Sequence, residues 1–226
     1  MAATDGVSAV DAVKAGDVDG VRAAVQRDPG AASEKDADGI SAVLHARYRD
    51  RQDLVDVLLE PQPELDIFEA AAVGDLKRVQ ALIVNEPAVV EAWSPDGFTA
   101  LHLAAFFGHE EAAEALLRHG ALIDVASRDR MQVTPLHSAA AANRRQLISL
   151  LLTFGADPNS RQAGGWTPLH SAAANGDQQT VDLLLDAHAE PGLANDEGKT
   201  PAQLARDKGH DEVARRLESW TPGETA

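Results

Sequence analysis

The chain has 226 residues, of which 44% are hydrophobic and only 4% aromatic, and its formal net charge is −16. Phosphate backbones and anionic lipids repel so acidic a protein, so we expect it to bind neither nucleic acid nor membranes. The sequence contains no cysteine, which excludes disulfides, thiolate nucleophiles and cysteine-based metal sites. Its N-terminus lacks a basic segment followed by an apolar run, and no apolar run could span a bilayer, so we expect a cytoplasmic protein.

Related segments recur along the whole chain. In chain order, the copies begin at Val7, Ser41, Leu65, Thr99, Thr134, Thr167 and Thr200. The last four read TALHLAAFFGH, TPLHSAAAANR, TPLHSAAANGD and TPAQLARDKGH, at intervals of 35, 33 and 33 residues. This period and the T-P-L-H-x-A motif resemble the ankyrin repeat. The resemblance implies an all-α dominated repeat solenoid over residues 1–219, with about seven helix-turn-helix units and short β-hairpin fingers.

Two positions of each copy predict a helix, a tight turn and a second helix. The residue five places after each start is always alanine, which indicates close packing of backbones. The residue nine places after each start tolerates a left-handed backbone. These turn residues are Gly16, Asp50, Gly74, Gly108, Asn143, Gly176 and Gly209. A threonine followed by proline, as at Thr134, Thr167 and Thr200, predicts the start of the first helix, with threonine as the N-cap.

The spacing departs from the repeat in three places. Only 24 residues separate Ser41 from Leu65, which predicts that the finger between the second and third units is missing. The interval from Thr99 to Thr134 predicts a longer finger than its neighbours. Residues 207–218 carry the charged outer face that a terminal unit needs. We expect 220–226 to be a flexible tail, of which Trp220 could fold back onto the last helix.

Histidines are the strongest candidates for chemistry. His102, His137 and His170 all occupy the fourth place of the motif, and a position that repeats serves packing before catalysis. We therefore expect each imidazole to bind backbone groups of the adjacent repeat, and we expect no metal site and no cofactor. A histidine-based enzyme remains a remote alternative, since no nucleophile or metal motif accompanies these residues.

In ankyrin repeat proteins, partners contact the finger tips and the concave face of the first helices. Carried over to this sequence, the resemblance predicts that another protein binds at Tyr48, Trp93, Phe98, Phe106, Phe107, Arg130, Met131, Arg161 and Trp166. Aromatic and arginine side chains are enriched at protein interfaces. Each aromatic residue taken alone could equally serve packing: Phe98 and Trp166 against neighbouring hairpins, Phe106 or Phe107 between first helices.

We therefore expect a non-enzymatic protein-interaction module or scaffold that acts as a monomer. The alternative is a groove that holds a peptide or a small ligand.

Overall fold

The computed structural model describes residues 6–221, and these residues form fourteen α-helices joined by turns and three short 3₁₀ segments. The helices are α1 (Ala9–Ala15), α2 (Val18–Arg27), α3 (Ala42–Tyr48), α4 (Gln52–Leu59), α5 (Ile67–Val73), α6 (Leu76–Asn85), α7 (Ala100–Phe107), α8 (Glu110–Arg118), α9 (Pro135–Ala141), α10 (Arg145–Thr153), α11 (Pro168–Asn175), α12 (Gln178–Asp186), α13 (Pro201–Asp207) and α14 (Asp211–Glu218). The 3₁₀ segments span Pro29–Ser33, Pro87–Glu91 and Ala163–Gly165.

The helices stack in two rows. Each odd-numbered helix contacts the even-numbered helix that follows it, and the odd-numbered helices, here called the inner row, also contact one another in order from α1 to α13. The even-numbered helices form the outer row. A single hydrophobic core, rich in alanine and leucine, runs between the rows, which confirms the predicted all-α repeat architecture.

The predicted helix starts and turns are confirmed in most copies. Ser41, Thr99 and Thr134 are N-caps whose side chains accept hydrogen bonds from the helix backbone. All seven predicted turn residues have positive φ: Gly16 (73°), Asp50 (52°), Gly74 (78°), Gly108 (90°), Asn143 (55°), Gly176 (71°) and Gly209 (81°). Short helices can therefore reverse direction at the same place in every unit.

In α1 and α5 the N-cap lies one residue after Val7 and Leu65, the first residues of these two copies. Their N-caps are Ser8 and Asp66, because valine and leucine carry no side-chain acceptor for the first backbone N–H groups. The turn residues Gly16 and Gly74 still lie nine residues after Val7 and Leu65. Because the N-caps lie one residue later, α1 and α5 are each one residue shorter than they would be with Val7 and Leu65 as N-caps. At Asp66 a capping box forms, with Glu69 as the reciprocal partner.

The fingers are tight turns, and the described residues contain no β-strand, only an isolated bridge between Lys35 and Ser41. The prediction of β-hairpin fingers is corrected to this extent. Four turns are closed by a backbone bond from residue i to residue i+4: Asp36 to Ile40, Ser94 to Phe98, Gln162 to Trp166 and Asn195 to Lys199. Apart from the bridge between Lys35 and Ser41, the backbone bonds of these turns do not continue into the ladder of hydrogen bonds that joins two strands.

Two connections differ from the others. In the 119–134 segment the closing bond runs from Ser127 N to Val133 O (2.7 Å), two residues farther along than elsewhere. Between α4 and α5 the chain has only residues 60–66, and no finger is formed. Of the neighbouring pairs in the outer row, α4 and α6 make the least contact, so the stack is weakest where this finger is missing.

The C-terminal end of the described chain packs against the last helix pair. Trp220 is half-buried against the core, and the Arg216 guanidinium lies 5.0 Å from the centre of its ring. The predicted tail otherwise falls largely on residues 222–226, which lie outside the described residues.

Candidate interaction surface

The three motif histidines use both ring nitrogens within the fold. In His102, Nδ1 accepts from the backbone N–H of Thr99 (3.2 Å), which leaves the proton on Nε2 to be donated to the carbonyl of Val133 (2.9 Å). His137 and His170 repeat this arrangement, donating to the carbonyls of Trp166 and Lys199, each at 3.1 Å. Each imidazole thus ties the cap of one inner helix to the finger that leads into the next.

Burial keeps these imidazoles neutral. It lowers the pKa of His102 and of His137 to about 4, and it lowers the pKa of His170 as well. A neutral ring whose two nitrogens are both engaged has no free position for proton transfer or for a metal. Within residues 6–221, no three histidine or acidic side chains lie together as a metal site would require. A structural role for the three histidines agrees with these contacts and stays a prediction.

Three of the predicted aromatic residues meet on the inner row and form what we call the aromatic strip: Tyr48, Phe106 and Phe107. The rings of Tyr48 and Phe107 lie 5.9 Å apart, and those of Phe106 and Phe107 lie 5.1 Å apart, edge to face. Tyr48 belongs to α3 and Phe107 to α7, so this contact crosses over α5.

The members of the aromatic strip differ in exposure. Tyr48 and Phe106 are each 40% exposed, whereas Phe107 is only 8% exposed. Phe107 therefore supports its neighbours from below and offers little area to a partner. The Tyr48 hydroxyl donates to Asp96 (2.6 Å) in the turn before α7, and burial and this carboxylate raise the Tyr48 pKa.

Trp93 and Phe98 form a second group, in the turn before α7. Both lie against His102, with ring centres 6.3 and 5.9 Å from the imidazole, and both are half-buried. The Arg128 guanidinium, from the next turn, lies 4.1 Å from the centre of the Trp93 ring. The bond between Tyr48 and Asp96 joins this turn to the aromatic strip.

The remaining predicted residues lie farther along the row of turns. Arg130 and Met131 are exposed at the tip of the long finger, and the Met131 carbonyl accepts from the backbone of Ala163 in the next turn. Trp166 is half-buried beside His170, at 6.0 Å between ring centres. Arg161 binds the Ala194 carbonyl (3.0 Å) and lies 3.6 Å from Asp196.

The sequence interpretation missed two arginines of this surface. The Arg47 guanidinium lies 4.4 Å from the centre of the Phe107 ring, and Arg144 donates from Nε to the Phe106 carbonyl (3.0 Å). The sequence held a signal for Arg47: it lies six residues after Ser41, the start of its copy, and the next four copies have alanine at that position. Arg144 stands directly after its turn residue, where His109 and His210 stand in two other copies.

In the part of the chain that the structure describes, no helix is both long and apolar enough to cross a membrane.

Comparison with known proteins places the chain in a family. A family model described as "Ankyrin repeats (3 copies)" matches residues 67–162 and 140–220. Protein phosphatase 1 regulatory subunit 27 of Mus musculus is 36% identical over 127 residues, which cover 54% of this chain and 81% of that protein. The probable E3 ubiquitin-protein ligase XBOS31 of Oryza sativa subsp. japonica is 38% identical over 95 residues, which cover 42% of this chain.

The alignment spans only 21% of the rice protein, and a similar match spans 8% of delta-latroinsectotoxin-Lt1a from Latrodectus tredecimguttatus. What these long relatives share with the chain is therefore a segment of repeats. Ankyrin repeats are in general non-catalytic and bind other proteins, although some relatives carry enzyme domains elsewhere. Helices α1 to α4 precede the matched residues but stack in the same two rows. The chain belongs to the ankyrin repeat family.

Proposed function

We propose that the chain is a non-enzymatic scaffold that binds a partner protein through its inner row of helices and the turns before α7 and α9. It acts as a cytoplasmic monomer and needs no cofactor for this binding. The aromatic strip is the observation that carries the proposal. Two large side chains, Tyr48 and Phe106, are each 40% exposed, and both contact the ring of Phe107. Such an exposed apolar patch, in a chain with few aromatic residues, is typical of an interaction site.

Two further features support a protein as the partner. Arg47, Trp93 and Arg128 extend the aromatic strip with side chains of the kinds that anchor protein interfaces. The mouse relative is named as a regulatory subunit of a protein phosphatase, which describes a protein that acts together with another protein.

Substitution of Phe106 by alanine tests the proposal. Because the ring is 40% exposed, its removal should leave the fold intact and weaken partner recovery from a lysate of the native cell at least tenfold. Phe154→Ala is the matched control, since Phe154 is 37% exposed at the end of α10 in the outer row. Recovery of the same proteins in the same amounts with Phe106→Ala and with Phe154→Ala would contradict the proposal.

A further inference from the structure

The charge on the inner row differs from the charge of the whole chain. The net charge is −16. Yet Arg47 and Arg144 contact the aromatic strip, Arg49 directly follows Tyr48 in the chain, and none of the three has a carboxylate within 4.0 Å among residues 6–221. We call these three residues the arginine cluster. Ten other lysines and arginines of the described chain are paired with acidic side chains, for example Arg22 with Glu60 and Arg118 with Glu114.

None of the hydrogen-bond partners of the arginine cluster is a carboxylate. Arg47 donates to the Gln52 side chain (3.1 Å), and its Nε is buried without a partner. An Arg49 nitrogen lies 3.4 Å from Nδ1 of His45. Arg144 is held by the Phe106 carbonyl. These bonds fix the direction of the guanidinium groups and leave them without a hydrogen-bonded carboxylate.

Two charges of the cluster, those of Arg47 and Arg144, act on each other. Burial and the charge of Arg144 lower the pKa of Arg47. Burial also lowers the pKa of His109, and the charges of both arginines lower it further. Two carboxylates lie near: Asp50 raises the pKa of Arg47, and Asp96 is bound by the Tyr48 hydroxyl. The repulsion between neighbouring arginines is therefore only partly offset within the chain, and an incoming anion would relieve it.

The geometry points to an acidic segment of a partner protein as the occupant: we propose that carboxylates of this segment pair with Arg47, Arg49 and Arg144 while one of its apolar side chains lies on Phe106. This inference rests on the proposed function and names the chemistry of the partner. A guanidinium offers paired N–H donors that match a carboxylate. The exposed Phe106 ring supplies the apolar contact beside it.

Two other occupants fit less well. A nucleic acid would extend its phosphates beyond the cluster over a surface that is acidic elsewhere. A second copy of the chain that used the same patch in a symmetric dimer would place arginines opposite arginines. A short acidic segment meets only the local positive field, because salt screens the more distant carboxylates beyond about 8 Å at physiological ionic strength.

Selection from a random peptide library displayed on phage tests the inference, with the whole chain as bait. We expect the selected peptides to be rich in Asp and Glu and to contain an aromatic or leucine residue. A synthetic, labelled copy of a selected peptide should bind at least tenfold more weakly to the variant Arg47→Gln/Arg49→Gln/Arg144→Gln, which corresponds to about 1.4 kcal/mol. Selected peptides that are neutral or basic would overturn the inference.

The matched control is Arg22→Gln/Arg118→Gln/Arg206→Gln, which changes the net charge equally but removes arginines already paired with Glu60, Glu114 and Glu218. It should bind the peptide as the unaltered chain does. Equal weakening by both triple variants would show that only total charge matters and would overturn the inference.

A second measurement does not depend on the folding of any variant. Exchange of Asp and Glu in the selected peptide for Asn and Gln should weaken binding to the unaltered chain at least tenfold. Unchanged binding of the exchanged peptide would overturn the inference. Two other results would also overturn it: a labelled oligodeoxynucleotide that binds the chain as tightly as the selected peptide does, or a dimer of the chain that dissociates in the arginine variant.

The two proposals can fail separately. If Phe106→Ala loses its partner but the selected peptides are not acidic, the scaffold function stands and the acidic partner is wrong. If Phe106→Ala keeps its partner, the aromatic strip is not the binding site and both proposals fall.

Discussion

At the scale of single residues, the motif histidines show how a repeated side chain couples neighbouring units. Each accepts from its own N-cap and donates to a carbonyl about 30 residues farther along, as His137 does to Trp166. In the last pair of helices Gln203 takes this place and accepts from Thr200 N (2.8 Å). A glutamine therefore preserves the cap, while histidine also reaches the next turn.

These histidines predict a dependence of stability on pH. The pKa of His102 and His137 is about 4 in the folded chain, against about 6.5 for an unfolded histidine. Between pH 6.5 and pH 4 these two histidines take up protons only in the unfolded state. The free energy of unfolding is therefore highest above pH 6.5 and decreases as the pH falls. The loss is about 1.4 kcal/mol per pH unit for each histidine. Urea unfolding between pH 7 and 4.5 measures it.

The double variant His102→Gln/His137→Gln isolates this effect, and its urea midpoint should fall less steeply with pH than that of the unaltered chain. Glu69 acts in the opposite direction, because burial raises its pKa and its stabilisation is lost as the pH rises. It is present in both proteins and cancels from the difference. Parallel pH profiles would contradict a role for the two histidines.

At the scale of helices and turns, the inner helices end at residues whose positive φ lets the next unit approach closely. A Cβ placed on Gly74 would overlap the ring of His109, which is held by its bond to the Ala72 carbonyl (3.0 Å). At Gly209, in the last pair, a Cβ would meet nothing within 4 Å. The two glycines have nearly the same φ, 78° and 81°, so they form a matched pair.

We expect Gly74→Ala to destabilise the fold more than Gly209→Ala. Both substitutions carry the cost of a left-handed backbone, about 1–2 kcal/mol. Gly74→Ala must in addition displace His109, which adds about 1–3 kcal/mol. The free energy of unfolding in urea measures both variants, and equal losses would mean that His109 moves aside freely.

The sequence predicted the elements better than the surface. The turn residues could be found because a left-handed backbone selects Gly, Asn or Asp, even where Asp50 or Asn143 replaces glycine. Spacing alone does not locate the starts of α1 and α5, because their N-caps are Ser8 and Asp66, one residue after the first residue of each copy. The burial of Phe107 could not be read from the sequence, because it depends on Tyr48 reaching across α5, 59 residues away along the chain.

At the scale of the whole molecule, each helix pair makes most of its contacts with the pairs before and after it, and the contact of Tyr48 with Phe107 is an exception that crosses over α5. The internal pairs have neighbours on both sides, whereas α13 and α14 contact only the pair before them. The joint between α4 and α6 is a second weak point, because the missing finger removes contact there. Stability in such an array is a sum over pairs and the contacts between them, so it should vary along the chain.

Two buried leucines test this variation: Leu151 in α10, near the middle, and Leu217 in α14, at the end. Truncation of a buried leucine to alanine costs about 2–5 kcal/mol. Leu151→Ala weakens α10, which contacts both α8 and α12, and should speed amide hydrogen exchange over several helices around α10. Leu217→Ala should speed exchange mainly in α13 and α14, because the end pair can open without the rest. Exchange that rises evenly over all helices in both variants would show instead that the array opens as one cooperative unit.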